Sequence, residues 1–83
     1  MENEIENFVM RALANASEYS ADGWITFEQL DRLMAKEKKD WSEAVRRSYL
    51  RGAVGNLLRS GQAVRDKFTP KYKISEETLQ LFA

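Results

Sequence analysis

The chain has no cysteine and no histidine, one proline and four glycines in 83 residues. Without cysteine there is no disulfide, no thiolate nucleophile and no zinc ribbon. Without histidine the commonest general base and metal ligand is missing. No apolar run is long enough to span a bilayer. The opening "MENEIENF" is acidic and lacks the basic-then-apolar layout of a signal peptide. These absences predict a cytoplasmic protein with no membrane association. The length suits one domain, residues 1–83, with a small core.

Catalysis finds little support among the remaining residues. The serines have no base partner of the histidine kind, and no glycine-rich loop cradles a phosphate. Glu76 and Glu77 read as helix-start acids. Glu28 and Asp31 share a helix with Arg32 and read as a solvated face. No carboxylates are spaced like a calcium loop. The expectation is a protein that is not an enzyme and has no cofactor, no metal and no small-molecule substrate.

The formal net charge of zero hides an asymmetry. Residues 1–40 carry nine acids and five bases, net −4, and residues 41–83 carry four acids and eight bases, net +4. Between residues 44 and 75 eight bases face Asp66 alone, net +7. Such a split points to an oriented electrostatic surface.

Helical spacing of Ile5, Phe8, Val9, Ala12, Leu13 and Ala16 predicts a first helix from about Glu2 to Ser17. "SADGW" reads as a turn centred on Asp22-Gly23, and Trp24-Ile25 as a short edge strand. Thr26 with Gln29 forms a capping box that opens a second helix, with Phe27, Leu30, Leu33 and Met34 on one face. "KEKKD" is a charged connector. Asp40 or Ser42 caps a third helix, Trp41 to Ser60, which stops at Gly61 and has Leu50, Val54, Leu57 and Leu58 as its core stripe.

After Gly61 the spacing changes to alternation. Val64, Asp66, Phe68, Tyr72 and Ile74 fall on even positions, and Arg65, Lys67, Lys71 and Lys73 on odd ones. This predicts a hairpin, Ala63–Phe68 with Tyr72–Ser75, with Pro70 at its tip. If even residues pair with even ones, Phe68 faces Tyr72, and the connecting loop has an odd number of residues. Val64, Phe68, Tyr72 and Ile74 then face the core and the Arg/Lys row faces outward. Ser75 caps a short last helix anchored by Leu79 and Phe82.

The fold class expected is mainly α with a small antiparallel hairpin, α+β. The order helix, short strand, helix, helix, strand, turn, strand, helix resembles a winged-helix domain, a helix-turn-helix relative found in many small bacterial and phage regulators of transcription. The resemblance covers roughly Phe8 to Ser75 and rests on element order and patterning. In that family the third helix usually enters the DNA major groove, and the wing reaches the backbone or minor groove. By position, it implies duplex DNA contact through Arg46, Arg47, Ser48, Arg51, Asn56 and Arg59 of helix three and Arg65, Lys67, Lys71 and Lys73 of the wing. Cations there suit phosphate, and arginine also suits guanine. The plainer account of the same lysines is a guarded sheet edge.

Helix three carries a second pattern. Trp41, Val45 and Tyr49 lie opposite the leucine stripe, with Gly52 and Gly55 on the same far side. The glycines can admit a partner backbone, the helix can bend near Gly52, or the last helix can cover the aromatics. The competing expectation is therefore a protein-interaction module, an inhibitor or assembly adaptor, or a homodimer. Its interface would be Trp41, Val45 and Tyr49.

Overall fold

Thr26 and Gln29 build the capping box the sequence predicts. The Thr26 hydroxyl accepts from the Gln29 N–H at 3.1 Å, and the Gln29 side-chain carbonyl accepts from the Thr26 N–H at 2.8 Å. A computed structural model describes residues 2–82, with side chains from Glu4 to Leu81. Its elements are α1 (Glu2–Ala14), a 3₁₀ turn (Ala16–Glu18), β1 (Ile25–Thr26), α2 (Phe27–Glu37), α3 (Glu43–Arg59), β2 (Ala63–Arg65), β3 (Lys71–Ile74) and α4 (Glu76–Phe82). The three strands form one antiparallel sheet in the order β1-β3-β2. The described chain is thus mainly helical with a small sheet, as expected.

The core lies between α1, α2, α3 and the inner face of the sheet. Ile5, Val9 and Leu13 of α1 meet Leu30 and Met34 of α2, Leu50 and Leu57 of α3, and Ile25 of β1, all buried. Phe8, Phe27 and Leu33 are half-buried at its margin. The radius of gyration, 11.9 Å, is that of a single packed body of this length, about 12 Å.

Local chemistry sets the element ends. α1 stops at Ala14, short of the expected Ser17, because the Asn15 amide donates to the Arg11 carbonyl and the chain tightens into the 3₁₀ turn. The Asp22 carboxylate accepts from the Trp24 N–H at 3.0 Å, and Gly23 takes φ 81° in that turn. β1 begins one residue later than expected, at Ile25. Ser42, not Asp40, caps α3, accepting from the Val45 N–H at 3.2 Å. α3 runs unbroken through Gly52 and ends before Gly61 at φ 79°.

The hairpin differs from expectation in register. Ala63 pairs with Ile74, Val64 with Lys73 and Arg65 with Tyr72, so odd residues face even ones. The Asp66 N–H donates to the Lys71 carbonyl at 3.0 Å and closes a four-residue connection, Lys67 to Pro70. An even-numbered loop shifts the parity of the second strand against the first. Ala63, Tyr72 and Ile74 remain inside, but Val64 is 45% exposed and Phe68 is 89% exposed. The strands are also shorter than expected, because residues 66–70 belong to the turn. Leu79 is exposed rather than anchored, and so is Leu81. The Phe82 side chain lies outside the described residues.

The register has a direct check. Ile74→Ala should cost about 2–5 kcal/mol, as for other buried aliphatics. Val64→Thr should change stability by no more than about 0.5 kcal/mol. Even-with-even pairing would make both costly in urea unfolding.

Candidate nucleic-acid interface

α2 crosses α3 with a carboxylate inside its apolar stripe. At about 100° per residue, Asp31 falls on the same face as Phe27, Leu30 and Met34. It is 6% exposed. Arg46 reaches it with two donors, Nε to Oδ1 at 2.6 Å and Nη2 to Oδ2 at 3.2 Å. Arg47 donates to Asp31 Oδ2 at 3.1 Å and grips Glu28 with both terminal nitrogens, at 2.6 and 3.1 Å. Its guanidinium also lies 5.1 Å from the Phe27 ring centre. The Arg46 hydrogen bond, against the cost of burial, holds the Asp31 carboxyl below its ordinary range, and Arg47 does the same for Glu28. The same pairing raises Arg47 and Arg46 above their usual values.

Two of the six helix-three residues expected at DNA are therefore engaged within the fold. Asn56 is a third: its amide nitrogen donates to Glu6 Oε2 of α1 at 3.1 Å, and its carbonyl accepts from Arg59. Arg59 also lies over Gly55, with Nη1 3.4 Å from the position a side-chain Cβ would take there. Ser48 is exposed and lines a concavity of about 220 Å³ between α1 and α3 with Ile5, Tyr49 and Gly52. Arg51 is exposed, 5.9 Å from the Phe27 ring centre. The solvent face of α3 is thus Ala44, Ser48, Gly52 and Arg59, with Gly55 partly covered by Arg59, flanked by Arg51 on one side and by Val45 and Tyr49 on the other.

The hairpin cations do not share one face. Arg65 stands beside Tyr72 on the inner face, and donates to the Asp66 carbonyl at 2.9 Å. Lys71 and Lys73 stand on the outer face, their ammonium groups 5.6 and 5.8 Å from the Trp24 ring centre, and Lys71 is also 3.9 Å from Asp22. Lys67 is exposed in the turn. The expected single row is broken by the register.

What the register creates instead is a groove of about 420 Å³ between the start of α2, α3 and the hairpin. Phe27, Val54, Leu58 and Tyr72 form its floor, and Arg51 and Arg65 stand at its rim. Its one acid, Glu28, is already held by Arg47. Neither Arg51 nor Arg65 has a carboxylate within ion-pair distance among the described residues.

The expected protein-interface residues split by burial. Trp41 packs against the core and stacks on Tyr49, with ring centres 4.9 Å apart and planes tilted by 33°. Lys38 lies 5.4 Å from the Trp41 ring and pairs with Glu4 at 2.7 Å. Val45 and Tyr49 are exposed, Tyr49 by 37%.

Sequence reasoning missed two residues. Asp31 reads from the sequence as part of a solvated face, although its position four after Phe27 puts it on the buried side of α2. Phe68 reads as a core residue from its alternation, but the register leaves it exposed. Compared with known proteins, the chain matches no protein-family model, no curated protein and no solved structure. Among the described residues no helix is long and apolar enough to cross a membrane, and no three acidic side chains gather as a metal site.

Removing the Asp31 carboxylate strands two arginines on partly buried ground. Asp31→Ala should cost about 3 kcal/mol, near the lower end for a broken buried pair. The folded value of Asp31 lies below its ordinary 3.8. Its stabilisation is therefore complete above about pH 5 and is lost as pH falls through the folded value. Urea midpoints from pH 6 to 2 should fall more steeply in the parent than in Asp31→Asn.

Proposed function

We propose that the chain is a winged-helix protein that binds duplex DNA, a small regulator whose contacts come from the hairpin and the exposed edge of α3. The element order and the β1-β3-β2 sheet suit that fold. The observation that carries the reading is the groove between α3 and the hairpin, with Arg51 and Arg65 unpaired at its rim. Guanidinium groups without carboxylate partners are available to phosphate, and each one engaged releases counterions. Arg59 extends the same charge along α3 and Lys67 around the turn, while Lys73 adds charge on the outer face of the sheet. Arg46 and Arg47 are left out of the interface, because Asp31 and Glu28 hold them.

Binding to random duplex DNA tests the reading. With four or five of these cations at phosphates, log affinity should fall against log salt with a slope of about −4. The double substitution Arg51→Ala with Arg65→Ala should weaken all sequences alike and flatten the slope by up to about 2. No binding at low salt, or a double variant equal to the parent, overturns it.

A second reading has one observation of its own. Val45 and Tyr49 stand exposed beside the stacked Trp41, next to Ala44, Ser48 and Gly52, where a partner backbone can come close. A protein-interaction module would use that face. Sedimentation decides it: a dimer that Tyr49→Ala dissociates carries the second reading, and a monomer unchanged by the substitution removes its homodimer form.

A further inference from the structure

Phe68 is the most exposed large apolar side chain in the described structure, at 89%. Nothing in the turn requires a phenyl ring. The turn is held by its neighbours: Asp66 Oδ2 accepts from the Phe68 N–H at 3.1 Å, the Thr69 N–H at 3.0 Å and the Thr69 hydroxyl at 2.9 Å. The Lys71 N–H donates to the Thr69 carbonyl at 2.8 Å, and the Phe27 N–H at the start of α2 donates to the Pro70 carbonyl at 3.0 Å. The hairpin tip is therefore tied to the body of the protein at its base and stiffened across its loop. The ring is presented on a rigid support, so little ordering cost remains at the moment of contact.

The charges around the ring select its partner. Lys67 precedes it, and Arg65, Lys71 and Lys73 lie within five residues. The one nearby acid, Asp66, is turned into the loop, where three donors hold its carboxyl below the usual range. A polyanion is the complementary surface. A flat apolar ring at the end of a narrow hairpin has no donor or acceptor for the hydrogen-bonding groups of base edges. It can enter the minor groove and lodge between base pairs, as apolar wedges do.

We propose that Phe68 is such a wedge: the hairpin tip enters the minor groove of duplex DNA and Phe68 opens a base step there. This rests on the DNA-binding reading and deepens it. Because the ring pays by unstacking, it favours steps that unstack easily, so TA and CA steps are preferred sites.

The test uses short duplexes with a central TA step, 2-aminopurine beside it, and a fluorophore pair at the ends to report bending. The parent should raise 2-aminopurine emission and bend the duplex by between about 20° and 90°. Phe68→Ala should lose both signals and roughly 5- to 100-fold in affinity. Its salt slope should be unchanged, since no cation is removed. Phe68→Leu should keep part of the bend. Both variants should unfold like the parent, because the ring touches little. A parent that binds with no bend, or a Phe68→Ala variant with parental bend and affinity, overturns the wedge while leaving DNA binding in place. A parent that binds no duplex overturns both. Binding to vesicles of phosphatidylserine and phosphatidylcholine that depends on Phe68, without a DNA bend, assigns the ring to a lipid surface and overturns the wedge.

Discussion

The Asp66 carboxylate closes the hairpin, and the placement of every side chain beyond it follows. By accepting three donors from Phe68 and Thr69 it makes a four-residue connection the stable one. An even connection sets Arg65 opposite Tyr72 and Val64 opposite Lys73. From there the constraint spreads. β3 is the central strand and pairs with β1 along its other edge, where Ile25 falls opposite Tyr72 in the core. Thr26, the second residue of β1, is also the N-cap of α2. The Pro70 carbonyl then accepts the Phe27 N–H, one of the donors a helix start leaves open. Turn, sheet and α2 are thus joined through a few adjacent backbone groups.

A second constraint sorts the charges. Among the nine acids in the first half of the chain, Glu4 is held by Lys38, Glu6 by Asn56, and Glu28 and Asp31 by Arg46 and Arg47. A buried ion pair adds little net stability over an apolar contact of the same shape, since desolvation offsets the attraction. Its effect here is geometric, because bidentate contacts fix how α2 and α3 lie against each other. The pairing also leaves Arg51, Arg59, Arg65, Lys67 and Lys73 without carboxylate partners in ion-pair distance among the described residues. A chain of zero net charge can in this way keep a basic edge.

Periodicity and capping were enough to place the helices, because an apolar stripe and a Thr26–Gln29 pair are local signals. The hairpin was also visible from its alternation, but its register was not. Alternation tells which residues share a face within one strand. It does not tell which face of one strand meets which face of the other, and that depends on whether the loop count is odd or even. The Asp66 side chain decided it through hydrogen bonds to Phe68 and Thr69 that alternation does not encode. The buried role of Asp31 was hidden for a different reason. A carboxylate four residues after Phe27 shares the apolar face, but its charge reads as solvated until its partners, fifteen and sixteen residues further along, are known to reach back. Of the candidate site, the cations were legible as a set, but their division between internal pairs and free edge was a tertiary fact.

The exposed face of α3 bears on how such a surface could discriminate among sequences. Ala44, Ser48, Gly52 and Gly55 have short or absent side chains, so α3 can approach a partner closely while reaching little. A helix that reads bases needs long polar side chains directed at their edges. In α3 the long cations are Arg46 and Arg47, held by α2, Arg51 at the margin, and Arg59 in the last turn, where it donates to Asn56. If the partner is duplex DNA, as proposed, the helix supplies proximity and phosphate contact, and little of its surface can distinguish one base pair from another. Discrimination then falls to the ease with which the duplex deforms, which is a property of base steps and not of base edges. The structural element able to sense deformation is a rigid one that demands it, and in this fold that element is the braced hairpin tip.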